Sequence, residues 1–248
     1  MNQQTRREFL AAGLALGVGS IVTTPLAQAP PNPAGRSVDD FFRDFTADWV
    51  RHDPSLATAT RYFTGEEQDR LERQLTPRTL EWRRERIRRA RQGLAELRRF
   101  DRSRMTDLQR VSVDVMNWQL DTLASEEPYL DYTFPLQQMN GANVQLVETM
   151  TVRRPLLTER DAENYVVALG QVRTRMEEAV QDARRLETRK IILPRFILAA
   201  TSTQMRAFVD IAPAQSPFVT VLGDRMSGIK TLSDARREQL REIGRAHV

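Results

Sequence analysis

Thr158-Glu159-Arg160-Asp161-Ala162-Glu163-Asn164-Tyr165-Val166-Val167-Ala168-Leu169, continued through Pro194 to Asp210, decides the fold. Thr158 is placed to cap a helix, and Asp161 three residues on makes an Asp variant of the capping box. Ala162, Tyr165, Leu169, Val172, Met176, Ala179, Ala183 and Leu186 recur at spacings of three and four. That is one apolar stripe, predicting a single helix of about 40 Å that ends near Glu187–Lys190. Pro194 then starts a second helix, because a proline at the first helical position loses no hydrogen bond. Its inner face reads Ile197, Ala200, Thr201, Gln204, Met205 and Phe208. So long a stripe needs more than one partner, and other helices must supply the facing wall. The fold class expected is all-α: a multi-helix array with a long central helical hairpin, part of a larger helical fold.

The chain has 248 residues and 40% hydrophobic content, enough for a substantial core. A net charge of +4 on 37 basic and 33 acidic residues is a mixed surface. It lacks the concentrated basic face that nucleic acid requires, so no nucleic-acid partner is expected. With no cysteine there is no disulfide, thiolate zinc site, cysteine nucleophile or lipid-modified cysteine within these residues.

The first 29 residues read as an address. Arg6 and Arg7, followed by Glu8, Phe9 and Leu10, precede the uncharged glycine-rich run Ala11–Val22. Ala27 and Ala29 then form an Ala-x-Ala cleavage site, so residues 1–29 have the build of a signal peptide. Paired arginines with Phe9-Leu10 and a weakly apolar run resemble the twin-arginine (Tat) export signal. The Tat machinery is thus an expected partner, and export to the periplasm or cell envelope the expected location. Pro30 directly after Ala29 disfavours that cut, and cleavage after Ala27 is the substitute. The apolar run is too short to span a bilayer, so no permanent membrane span is expected. Residues 30–36 are a proline-rich linker, and residues 37–241 form the helical domain.

Within that domain Ser37 caps a helix with inner face Val38, Phe41, Phe42, Phe45 and Trp49, which reads as core. Asp53-Pro54 and Thr76-Pro77 each read as a cap followed by a first-turn proline. The helix after Thr76 runs to about Arg99. Its seam is Leu80, Ile87, Ala90, Leu94 and Leu97, and its other faces are rich in arginine. Because Glu81, Glu85 and Glu96 interrupt that run, it reads as a solvated face rather than a surface for an acidic partner. Thr106 caps a helix to about Ser125, apolar on more than one face and therefore expected to be central. Asp107, Asp114 and Asp121 share an outer stripe of it and read as solvent-facing, with no second ligand set for a cation.

Residues 127–155 break the pattern with Pro128, Pro135, Pro155 and Asn140-Gly141. Gln137, Gln138 and Asn140 sit in this amide-rich stretch, either lining a pocket or satisfying the loop's own backbone. Ser216-Pro217-Phe218 reads as a turn, and Ser233-Asp234 starts a last helix expected to leave an apolar stripe uncovered.

Four places, in order, resemble the first part of the bacterial family called domain of unknown function 885. They are Phe41-Phe42 through Asp53-Pro54-Ser55-Leu56-Ala57-Thr58, Pro135-Leu136-Gln137-Gln138, Leu157-Thr158 through Asp161 and Tyr165, and Ile192-Leu193-Pro194-Arg195-Phe196 on to Ser216-Pro217-Phe218. The family usually has a glycine before the proline turn, where this chain has Glu187-Thr188-Arg189-Lys190. It resembles, distantly, all-helical zinc metallopeptidases, whose His-Glu metal motif falls in the second half of longer members. That motif is absent here, so no catalytic, cofactor-binding or metal-ligating residue is carried over. His52 reads as a helix C-terminal histidine. Residues 242–248 resemble a translated sequencing adapter and are expected to be a non-native tail. The resemblance implies the N-terminal scaffold of a metallopeptidase-like hydrolase, with zinc and a peptide substrate belonging to the full-length protein. The alternative is a non-catalytic helical binding module of the cell envelope.

Overall fold

The computed structural model describes residues 36–248, which form eleven α-helices joined by short turns and no strand. The signal residues Arg6, Arg7, Phe9, Leu10, Ala27 and Ala29 lie outside the described residues.

The first lobe is built by α1 (Val38–Arg51), α4 (Leu80–Leu97) and α5 (Asp107–Ser125). Ser37 and Asp40 form a full capping box at the start of α1. The α1 face Val38, Phe41, Phe42 and Trp49 then packs against Ala90, Leu94 and Leu97 of α4 and Val113, Met116 and Leu120 of α5. Two short helices, α2 (Pro54–Thr60) and α3 (Gly65–Glu72), add a small satellite core of Val50, Ala57 and Leu71. Arg61 takes the left-handed conformation that ends α2.

The second lobe comprises α6 (Ala142–Glu148), α7 (Glu159–Leu169), α8 (Val172–Thr188), α9 (Arg195–Val209), α10 (Pro217–Ser227) and α11 (Asp234–Ala246). Its core runs from Leu146 and Met150 through Tyr165 and Leu169 to Phe218, Leu222, Met226 and Leu240. A polar joint links the lobes. Gln171 Oε1 accepts from the Leu75 amide at 3.0 Å and its Nε2 donates to the Arg73 carbonyl at 2.6 Å. Asn164, fully buried, donates to Asp69 at 2.8 Å and accepts from Arg73 at 3.0 Å. Arg83 of α4 pairs with the buried Asp182 of α8.

Five expectations are corrected. The 158–187 helix is two helices, because Gly170, a poor helix former, ends α7 and frees Gln171 to join the lobes. Thr79, not Thr76, caps α4, since the Thr76 hydroxyl is taken by Asp53 across the chain. Residues 127–155 hold α6, a short 3-10 segment and a π-turn at Thr149–Arg153. Ser216-Pro217-Phe218 opens α10 rather than forming a turn. Finally, α5 is not central: Val113, Met116 and Leu120 face the core, but Leu108, Val111 and Trp118 on its opposite side are exposed.

Candidate functional site

The helix that fails to bury itself is α9. It has the apolar composition of a core helix, yet of its 15 residues only Thr201 is buried. Phe196 is 73% exposed, Val209 78% and the preceding Ile192 56%. Lys190, at a left-handed φ of 60°, turns the chain out of α8, and Ile191 donates to the Leu186 carbonyl at 3.0 Å. Pro194 holds the capping position with an extended ψ of 142°. Among the interactions that hold α9 to the body, Gln204 accepts from Asn143 at 3.0 Å and donates to the Gln138 carbonyl at 3.3 Å. Phe208 meets Phe218 edge-on, with ring centres 5.7 Å apart.

An apolar groove lies on each flank of this helix. One, of about 650 Å³, runs between Phe134–Leu136, the α8 residues Val180 and Ala183, and Leu198 and Met205 of α9. The other, of about 680 Å³, lies between α6, Met176 and the Phe208 side of α9. Met205 and Val209 contribute to both. Four charged residues, Arg184, Glu187, Arg206 and Asp210, also line the first groove. Such surfaces bind aliphatic or aromatic groups by excluding water.

The amide loop folds back on itself and also reaches α9 through Gln138 and Asn143. The Ala142 amide donates to the Pro135 carbonyl at 2.8 Å and the Gln137 amide to Asn143 at 3.3 Å. Phe134, Pro135 and Leu136 line the first groove, whereas Gln137, Gln138 and Asn140 line neither. The arginines of α4 are largely engaged: Arg88 with Glu81 and Glu85, Arg89 with Asp48 and Glu85, Arg91 with Glu127. Arg86 lies over the rings of Trp49 and Trp82 at 4.9 and 5.1 Å. In the aspartate row of α5, Asp107 pairs with Arg110 and Asp114 with Arg102. His52 Nδ1 sits 2.9 Å from the Asp48 carbonyl at the end of α1. Among the described residues no three His, Asp or Glu side chains come together to hold a metal. No described helix is long and apolar enough to cross a membrane.

Several residues quoted for the family resemblance prove to be structural joints. The Asp53 carboxylate caps α2 by accepting from the Leu56 amide at 3.1 Å, and binds Thr76. Asp161 accepts from the amides of Leu157 and Thr158 at 2.7 and 2.9 Å and pairs with Arg61 at 2.5 Å. The Tyr165 hydroxyl donates to the Phe218 carbonyl at 2.8 Å, so two of the four places meet. Sequence reasoning missed the grooves; the signal present was the run Phe196, Leu198, Val209, which falls outside the inner face assigned to this helix.

A family model described as bacterial protein of unknown function (DUF885) matches residues 54–248. Among solved structures, one described as that of "the putative lipoprotein from Colwellia psychrerythraea" is similar at a TM-score of 0.68 with 14% identity. The alignment covers 85% of this chain and 37% of that one, so this chain spans well under half the length of that relative. At such identity the likeness concerns the fold. No curated protein matches.

Proposed function

This chain belongs to the DUF885 family of bacterial proteins, and from that membership we propose that it is the exported helical scaffold of a larger metallopeptidase-like hydrolase. The observation that carries this reading is α9: a helix with large apolar side chains in water, flanked by two apolar grooves. Exposed patches of this kind mark interaction surfaces. On this reading further helices of the full protein seat against α9 and complete a cleft. The relative's greater length supports it. Among the described residues no donor set fits zinc, so on this reading zinc, water activation and peptide cleavage are assigned to the rest of the full-length protein.

The test is direct. The purified 248-residue chain, supplied with zinc, is assayed on a mixed peptide library and titrated with an apolar dye. No hydrolysis is expected, while the dye binds strongly and Phe196→Glu with Val209→Glu reduces binding at unchanged thermal stability. Turnover that disappears on chelation would overturn the proposal.

A further inference from the structure

The outward arc of α9 lines neither groove. Phe196, Ala199, Ala200 and Thr203, all exposed, fall on the side of the helix opposite the buried Thr201. At the start of this arc the chain makes the corner set by Lys190, where Phe196 is joined by the exposed Ile192, which also lines the first groove.

Charge sets this corner apart. Residues 188–209 run for 22 positions without an acid, the longest such run among the described residues, and carry Arg189, Lys190, Arg195 and Arg206. Widening the window to 184–210 adds Arg184 and Arg185 against Glu187 and Asp210, so the basic excess stays at four. Arg189 pairs with Asp131. Lys190, Arg195 and Arg206 are exposed and have no ion-pair partner among the described residues. The arginine run of α4 differs, because carboxylates of its own and neighbouring elements engage Arg88, Arg89 and Arg91. Arg195 and Arg206 lie eleven residues, or three turns, apart on the margin of the arc next to the first groove.

We infer that this corner and the outward arc of α9 rest on an anionic lipid surface. Ile192 and Phe196 enter the boundary between headgroups and acyl chains, while Lys190, Arg195 and Arg206 reach the lipid phosphates. Each unpaired cation at such a surface strengthens binding about fivefold. Ala199, Ala200 and Thr203 are short, so the helix can lie flat in the interface. A folded partner would need a shaped counterpart to one phenylalanine among alanines, whereas a fluid bilayer needs none. Helices seated in the two grooves leave this arc free, so lipid contact is independent of the hydrolase reading.

Cosedimentation of the full 248-residue chain with vesicles tests this. Vesicles mixing phosphatidylglycerol with phosphatidylcholine should retain the protein, and added salt should release it. Vesicles of phosphatidylcholine alone should retain it more weakly, by about tenfold or more. Lys190→Glu with Arg195→Glu should weaken binding to the anionic vesicles about tenfold or more. Phe196→Ser should weaken it by a smaller factor, and Phe196→Trp should preserve it. Every variant should keep the helical circular dichroism of the parent. Lys190→Glu with Arg195→Glu should also leave dye binding in the grooves unchanged, which separates the lipid surface from the grooves. Failure to bind anionic vesicles would overturn the inference. So would equal binding to phosphatidylcholine alone, or binding undiminished by the changes at 190, 195 and 196, as it would be if residues 1–35 carried it. Equally tight retention on polyglutamate would also overturn it, assigning the surface to an acidic protein.

Discussion

Gly141 illustrates how little room single residues have. A methyl group there would come within 2.2 Å of the Gln137 amide nitrogen and 2.7 Å of its carbonyl oxygen, both backbone atoms of the turn that seats Phe134–Leu136. Gly141→Ala should therefore cost about 1–3 kcal/mol in urea unfolding, with the groove beside α9 reshaped. Arg154 is 3% exposed and donates to the Glu72 carbonyl at 2.5 Å and more weakly to that of Gln74. Burial pushes its guanidinium down to about 10, with Glu72 opposing that fall, yet it stays charged at neutral pH. Arg154→Met keeps the packing but leaves those carbonyls unpaired, and a loss of about 2 kcal/mol or more is expected in the same measurement.

Helix ends were largely legible where the deciding residue is local. Ser37, Asp53, Thr106, Thr158 and Ser233 each accept the expected hydrogen bond from the first helical turn. The reading failed where a distant partner decides. Thr76 has the right neighbours for a cap, but Asp53 and Ser55 claim it from another helix. The break at Gly170 lets Gln171 reach Leu75, a contact that periodicity cannot encode. The exposure of α9 was illegible for a related reason: a 3.6-residue pattern marks an apolar face without saying what covers it. The last helix, expected to be uncovered, is covered in part: Leu240 and Gly244 of α11 are buried, the latter against Leu222 and Leu169, and Arg236 donates to Glu163 of α7 at 2.5 Å, while Ala235 and Ile243 stay exposed. That bond, with Arg160 assisting, holds the Glu163 carboxyl below its ordinary value of 4.5. A depressed carboxylate stabilises above its unfolded value, and the stabilisation is lost as pH falls through the folded one. Amide exchange should therefore show α11 loosening first on acidification below about pH 4.5, and Glu163→Gln should abolish that dependence. Equal acid response in the variant would exclude this bond as the cause.

At the scale of the molecule, two cores meet through polar joints, and an apolar helix stands ready on the outside. The twin-arginine reading of residues 1–29, which lie outside the described residues, is a separate proposal with its own test. Changing Arg6 and Arg7 together to Lys should retain the protein in the cytoplasm, as fractionation and immunoblotting would report; export at the parent level would refute that address. Resemblance at the level of the whole fold was readable because its markers are joints, such as Asp161 with Arg61 and Tyr165 with Phe218. Chemistry was not readable, because those joints position helices rather than reactants.

The indole side chains are segregated. Trp49, Trp82 and Trp118 all sit on α1, α4 and α5, and the second lobe holds none. Intrinsic fluorescence is thus a gauge of one half of the protein. Melting that begins in the α7–α11 assembly would pass unseen by that signal, while ellipticity at 222 nm, a wavelength sensitive to all helices alike, would register it.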